Sequence, residues 1–341
     1  MNEHETDLLR RDFLLWGRPA PVWGPDRAGG PLAAQGSGRM ACCIAIGAFD
    51  GLHRGHRDLI DRTVADARAR GVAALAVTFD PDPDCVVRPD PAPKLLAPAD
   101  RIRALARSGV DGVLVVPFDA AMAARTHAAF FSEVLLPRFD VRAVHVGADF
   151  RMGRDGAATV ETMGAWCAER GIEVLGHDLV CDAGRAITAT RIRALVAEGE
   201  LAAVERELGR RYFVRGQVVP GRHQGANLGF PTANIELPAL AQRPQAGVYA
   251  GFAFDGATAW PAAINLGVPP TFQGQDGTAE LEANILGFEG DLYGRELAVL
   301  FGRLLRPQRA FDSLDELVRT VRGNIDDVRR LYGPAGVVLE P

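Results

Sequence analysis

The chain has 341 residues, 48% hydrophobic and 24% charged, enough for two packed cores at roughly 150 residues per domain. A net charge of -5 and an isoelectric point near 5.9 exclude a general nucleic-acid or anionic-membrane partner, because such surfaces collect positive charge. No apolar run approaches the roughly 20 residues of a membrane span, the N-terminus is acidic where a signal peptide is basic, and the 5 cysteines form no CxxC pair, which fits a reducing cytoplasm.

Residues 1–39 carry no periodic pattern and are dense in proline and glycine from Pro19 to Gly38, which predicts a disordered extension. Met40 stands directly before the first apolar run, so the extension is expected to be dispensable, with Met40 as a candidate translation start. From 41 to about 180, β-type runs at 44–47, 72–79, 110–116, 143–147 and 172–175 alternate with helical patterns. That alternation predicts βαβ units around a parallel sheet, a Rossmann-like α/β domain.

The first run ends in GAFDGLHRGH, residues 47–56. A strand breaks at Gly47 and a helix follows that carries His53 and His56 three residues apart, on one face of its first turn. A helix N-terminus favours a phosphate through its unbonded N–H groups and partial positive charge, and Gly47, Gly51 and Gly55 leave room for close approach. The pattern therefore predicts a place to move a nucleotidyl group, with the two imidazoles helping to position and neutralise a triphosphate. Leu59, Ile60, Thr63, Val64 and Ala67 share one face of the helix, and Gly71 ends it. A second positive arm is expected from ITATRIR, residues 187–193, where Thr188 and Thr190 supply hydroxyls and Arg191 and Arg193 supply guanidiniums.

After a helical linker at 190–209 the pattern changes. Runs at 212–219, 247–254, 259–266, 281–286 and 297–305 are separated by turn residues and followed by an amphipathic helix at 313–331, which predicts a small antiparallel β-barrel closed by a C-terminal helix. Within it LGFPTANI, residues 228–235, directs the Thr232 hydroxyl and the Asn234 amide together as hard oxygen ligands suited to Mg²⁺ carrying phosphate. The loop GRHQGANLG, residues 221–229, is glycine-bearing and fit to cradle phosphates, and Glu282 lies in a downstream β-type run.

These strings resemble the bacterial bifunctional riboflavin kinase / FMN adenylyltransferase (FAD synthetase) family. GAFDGLHRGH resembles its nucleotidyltransferase signature, VGADFRMG at 146–153 its VGxDFxFG, and ITATRIR its ISSTxIR. LGFPTANI, DLYG at 291–294 and LRPQRAFDSLDEL at 305–317 resemble its kinase domain, so the likeness runs from Ala41 to Tyr332. Beyond the extension at 1–39, it implies an FMN adenylyltransferase domain at 40–189 and a riboflavin kinase domain at 210–335, on either side of the linker at 190–209. It also implies His53 and His56 as catalytic groups on the ATP phosphates, with nucleotide or phosphate binding at Gly47, Phe49, Asp50, Gly55, Asp149, Arg151, Thr188, Thr190 and Arg193. In the barrel it implies phosphate binding at Gly221 and Gly225, Mg²⁺ and phosphate at Thr232 and Asn234, and Glu282 as the general base that deprotonates the ribityl hydroxyl.

The resemblance thus implies an enzyme that phosphorylates riboflavin to FMN and adenylylates FMN to FAD, with ATP as substrate and no nucleic-acid or membrane partner. Two other readings stay open: one activity alone, or one acting on a flavin analogue; and a non-catalytic flavin- or nucleotide-binding regulator. The departures that keep them open are Asp82 in FDPDP where the family has histidine, Ala189 for serine, Gln224 and Ala226 for arginines, and Pro269-Pro270-Thr271 for Arg-Pro-Thr. Asn284, Gly287 and Asn324 likewise replace commoner His, Asp and Asp. Arg222 and Arg295 are the candidates to replace the missing arginines.

Overall fold

The structure, a computed structural model, describes residues 3–15, 17–24, 39–221, 228–267 and 280–339. The chain divides into two compact units, Gly17–Ala189 and a second that joins Met1–Trp16 to Thr190–Pro341.

The first unit is built on six parallel strands: β1 (Val22–Trp23), β2 (Met40–Ile46), β3 (Ala73–Asp80), β4 (Gly112–Pro117), β5 (Phe139–Gly147) and β6 (Glu173–His177). Their order is β1-β4-β3-β2-β5-β6. Central β2 is buried from Cys42 to Ile46, which explains why its sequence is apolar at consecutive positions and does not alternate. The chain runs from β2 outward through β3 and β4 and then returns to the other side of β2 as β5. Ligands of such sheets bind beyond the strand C-termini where the order reverses, here at the ends of β2 and β5. The GAFDG loop and the VGADF loop leave those two ends. Helix α2 (Arg54–Arg70) buries Leu59, Ile60, Thr63, Val64 and Ala67, as its periodicity predicts, and stops at Gly71 in the left-handed region at φ 67°. A short hairpin, β7 (Cys181–Asp182) and β8 (Arg185–Ala186), precedes ITATRIR.

The second unit is an antiparallel barrel of β9 (Tyr212–Val219), β10 (Ala233–Glu236), β11 (Gly247–Phe254), β12 (Thr258–Gly267), β13 (Glu280–Ile285) and β14 (Glu296–Pro307). The order β11-β14-β9-β10-β13-β12 closes through β11–β12 pairing, and β15 (Val337–Val338) adds to β12. Strand β10 covers the last three residues of LGFPTANI and Glu236, too short to show as an apolar run. The barrel curves where β11 shifts register at Ala250/Gly251. A Cβ on Gly251 would lie 1.9 Å from the Leu300 carbonyl oxygen, so only glycine allows that approach. Helix Leu314–Tyr332, N-capped by the Ser313 hydroxyl, buries Val328 and lays Ile325 and Tyr332 against Ala250 and Leu286. Helices Ala189–Glu198 and Leu201–Leu208 occupy the segment expected to be a helical linker.

The extension departs from expectation. Glu3–Asp12 forms helix α1, and Leu9, Phe13 and Leu14 are buried in the second unit. Phe13 stacks on Phe254 at 4.7 Å between ring centres, and Asp12 Oδ1 and Oδ2 accept 2.8 Å hydrogen bonds from the Arg211 backbone N–H and Nε. Strand β1 extends the parallel sheet of the first unit, with Trp23 over Gly112 and 6.3 Å from Phe139. Leucines and a phenylalanine a turn apart in TDLLRRDFLL have an apolar face, but what buries it lies about 200 residues away in sequence. The proline- and glycine-dense stretch 25–38 lies outside the described residues.

Candidate active sites

In the first unit the chain leaves β2 at Gly47 and tightens through a single turn, Asp50–Leu52, with Phe49 at φ 56° and Gly51 at φ 79°. His53 then caps α2: its Nδ1 accepts the His56 backbone N–H at 3.3 Å. That bond makes Nδ1 an acceptor, so the ring proton sits on Nε2. The two imidazoles are stacked, 3.6 Å between centroids and 17° apart, and His56 meets the Phe49 ring edge-on at 5.3 Å. Burial lowers the His53 pKa to about 4. Burial, and then His53 itself, holds His56 well below its ordinary value. Both rings are therefore neutral at physiological pH. Neutral imidazoles can offer hydrogen bonds rather than charge, and the N-terminus of the helix carries a partial positive field. His56 Nδ1 is buried with no hydrogen-bond partner among the described residues, an orphaned atom that a ligand would satisfy.

The glycines have more specific roles than a phosphate bed. Cβ atoms on Gly47 or Gly55 would meet the Phe49 and His53 rings at 3.2 Å, so these glycines make room for the site's own aromatic side chains. Phe49 is buried as the floor beneath His56. Asp50 is also turned inward: its Oδ1 accepts the backbone N–H groups of Leu95 at 2.8 Å and Leu96 at 3.3 Å. It is an anchor of the loop, because a buried carboxylate takes the donors nearest to it.

A Cβ on Gly55 would also lie 3.6 Å from the Ile187 carbonyl oxygen, so the start of ITATRIR, with Thr188 next in sequence, runs beside the N-terminus of α2. Asp149 and Arg151 are exposed on the loop after β5. In the second unit, Arg193 Nη2 donates to Thr190 Oγ1 at 3.0 Å. Arg191 pairs with buried Glu207 at 2.8 Å, so it is a structural ion pair rather than half of the expected positive arm.

Sequence reasoning missed a charged cluster at the end of β3. Arg101, buried on the helix Pro98–Ala106, donates to the Ala48 carbonyl at 3.1 Å, to Asp82 at 2.9 Å and to the Phe79 carbonyl at 2.5 Å. Lys94, the one lysine of the chain, lies 3.5 Å from Asp82 and bonds Asp84. Burial, followed by the bond to Asp84, pushes the Asp82 carboxyl up. The residue that stands where the family has histidine is thus a structural acid held between two cations. The solitary lysine was the available sequence signal.

In the barrel, pairing sets Asn234 of β10 directly opposite Glu282 of β13, and Glu282 directly opposite Asn265 of β12. Residues paired in this way share a face with Cβ atoms about 5 Å apart. Ile235, Leu281 and Ala283 are buried while Asn234 and Glu282 are half-buried, so the polar row faces away from the core. Asn265 Oδ1 accepts from Gln308 Nε2 at 2.7 Å, which makes Asn265 and Gln308 further members of the row. A Cβ on Gly221 would fall 1.9 Å from Asn234 Nδ2, so the loop leaves β9 across the amide. Thr232 is half-buried just before β10.

The structure also accounts for several departures. Asn284 Nδ2 donates to the Pro231 carbonyl at 2.8 Å and ties down the LGFPTAN loop. Gly287 has φ 76°, and a Cβ there would lie 2.6 Å from the Pro334 carbonyl oxygen. Asn324 Oδ1 accepts from Arg306 Nε at 3.1 Å. Arg295 is turned toward Asp255, 3.9 Å away. Arg222, Gln224, Gly225, Ala226 and Pro269-Pro270-Thr271 lie outside the described residues.

Comparison with known proteins fits this geometry. Residues 37–191 match the FAD synthetase family model and residues 208–332 the riboflavin kinase model. The bifunctional riboflavin kinase/FMN adenylyltransferase of Pseudomonas fluorescens is 33% identical over 86% of this chain and 94% of that protein. The Escherichia coli K12 protein of the same name is 34% identical over 86% and 93%. The chain belongs to the bifunctional riboflavin kinase/FMN adenylyltransferase family. A solved structure described as a macrolide-efflux protein from Streptococcus pneumoniae also aligns, with a TM-score of 0.76, 27% identity, and coverage of 90% of this chain and 98% of that one. Among the described residues no helix is long and apolar enough to cross a membrane. For a member of this family, the FAD synthetase match covers the imidazole site and the riboflavin kinase match covers the polar row on the barrel.

Proposed function

We infer that the chain phosphorylates riboflavin to FMN and adenylylates FMN to FAD, with ATP as the donor in both steps. The observation that carries this is the pair of separately built sites, each inside the part of the chain matched by the corresponding family model. Gly17–Ala189 is assigned the adenylyl transfer, in which a phosphate oxygen of FMN attacks the α-phosphorus of ATP and pyrophosphate leaves. His53 Nε2–H and the first turn of α2 orient and hydrogen-bond the triphosphate, and the orphaned Nδ1 of His56 takes a partner from it. Thr188, Asp149 and Arg151 are assigned to the rim.

The barrel is assigned the kinase step. Glu282 accepts the proton of the ribityl hydroxyl as its oxygen attacks the γ-phosphorus and ADP leaves. The donor set fits Mg²⁺: the Thr232 hydroxyl and the Asn234 amide oxygen are hard ligands beside a carboxylate, with the Gly221 backbone close to the amide. When bound, the ion neutralises charge on the transferring phosphoryl group. The 5 cysteines, all free, support a reducing compartment such as the cytoplasm.

Purified protein given riboflavin, ATP and Mg²⁺ should give FMN and then FAD on timed chromatography. His56→Ala should abolish FAD while sparing FMN, and Glu282→Ala should stop FMN from riboflavin while still converting supplied FMN to FAD. Loss of both activities in either folded variant would reject two separate sites.

A further inference from the structure

Outside both flavin sites, three side chains of the first unit converge on one point: Cys43 from β2, Asp66 from α2 and His145 from β5. Asp66 Oδ2 is 3.5 Å from Cys43 Sγ and 3.1 Å from His145 Nε2, and all three donor atoms lie within 4.8 Å of one another. Thiolate, imidazole and carboxylate bind zinc at about 2.0 to 2.3 Å in a tetrahedron, which places neighbouring donors roughly 3.3 to 3.7 Å apart. Of the two measured edges, one lies just below that range and the other within it. This is the one such cluster among the described residues.

We propose that Cys43, Asp66 and His145 form a binding site for a single Zn²⁺-class divalent cation, with water in the fourth position. The surroundings are those of a metal site and not only of a polar contact. His145 Nδ1 lies 3.0 Å from His177 Nε2, a partner that fixes the ring and can accept the Nδ1 proton when Nε2, now turned to Asp66, ligates instead. Asp66 Oδ1 is held at 2.9 Å by Arg70 Nε, and Arg70 Nη2 is held at 2.6 Å by Glu173, so the carboxylate presents Oδ2 inward. Cys43 and His145 are buried, whereas the Asp66 side chain is 23% exposed, which gives the ion a way in past the helix. On binding, the thiol proton of Cys43 leaves to solvent, the proton between His145 Nε2 and Asp66 is replaced by one on Nδ1 that is donated to His177 Nε2, and bonds from sulfur, nitrogen and carboxylate oxygen to the metal replace the contacts among the three side chains. The ion thereby pins α2, which begins at the stacked histidines, to the two strands under it. The donor set selects zinc, cobalt or nickel over Mg²⁺, because thiolate and imidazole are too soft for magnesium. Cys42 cannot substitute, since it packs in the core on the other face of β2.

The test is titration of reduced, untagged full-length protein with Co²⁺, followed by absorption spectroscopy. One equivalent should produce a thiolate-to-cobalt charge-transfer band with the intense visible bands of a tetrahedral site, and Zn²⁺ should bleach both. Cys43→Ser should lose the charge-transfer band, whereas Cys181→Ser, at an exposed cysteine, should keep it. Zn²⁺ should raise the melting temperature of the wild type and leave that of Cys43→Ser unchanged. Should Cys43→Ser fail to fold, His145→Gln serves in its place and should weaken cobalt binding at least tenfold. Absence of the band in the wild type, or its survival in Cys43→Ser or unweakened in His145→Gln, overturns the site, with the three side chains then satisfying one another through protons alone.

Discussion

His53 shows how a residue legible in sequence takes its chemistry from burial. As the cap of α2 its Nδ1 accepts the His56 N–H, and burial keeps its ring from charging, as burial and then His53 do for His56. Its folded pKa of about 4 lies below the ordinary 6.5, so the unfolded chain takes up the proton first as pH falls. The contribution to stability is complete above pH 6.5 and is lost progressively as pH drops toward 4. At roughly 1.4 kcal/mol per unit this amounts to about 3 kcal/mol. Urea unfolding at pH 7 and pH 5 should show the decline, and His53→Asn, which keeps a capping acceptor, should flatten it; an unchanged slope would mean that the ring is solvated. The spacing of His53 and His56 could be read from the sequence. Their neutrality could not, because it depends on Phe49 and the walls of the fold.

At the scale of elements, the segment from Lys94 to the helix Pro98–Ala106 works as a clasp on the nucleotide loop. It holds Asp50 through the Leu95 and Leu96 N–H groups and Ala48 through Arg101. Arg101→Met would take from half-buried Asp82 its 2.9 Å partner, leaving it only Lys94 at 3.5 Å, and free the Ala48 carbonyl. Breaking a buried pair costs about 3 kcal/mol or more, and here it also lets the loop drift from the geometry that orients the triphosphate. The expected result is a lower melting temperature together with a fall in kcat for FMN adenylylation of at least tenfold, while riboflavin phosphorylation is unaltered. Equal loss of both activities would place Arg101 outside any role in the loop. Strands and helices were legible where one periodicity ran long enough, as in α2 and Leu314–Tyr332. The clasp was not, since hydrogen bonds from Arg101 to residues 48, 79 and 82 leave no periodic trace. Strand β10 was hidden because only Ile235 of its four residues is buried, too little for an apolar run.

At the scale of the molecule, the extension carries structure for both units rather than hanging free of them. Proline and glycine between 19 and 38 dominated its composition, and the apolar face of α1 could be assigned a partner only once residues 211, 213 and 254 were seen beside it. Phe13 is fully buried, stacked on Phe254 and tilted against Phe213 at 5.8 Å. Phe13→Ala removes that packing, a change that typically costs about 3 to 5 kcal/mol. The loss falls on the unit that contains the barrel, so the half-life of riboflavin phosphorylation on heating should shorten several-fold, while that of FMN adenylylation follows the wild type. Truncation to Met40 removes α1 from one unit and β1 from the other, and should lower the thermal resistance of both activities together. A truncated protein as heat-resistant as the full chain would show that α1 and β1 contribute nothing to holding either unit, and would restore the expectation that the first 39 residues are dispensable.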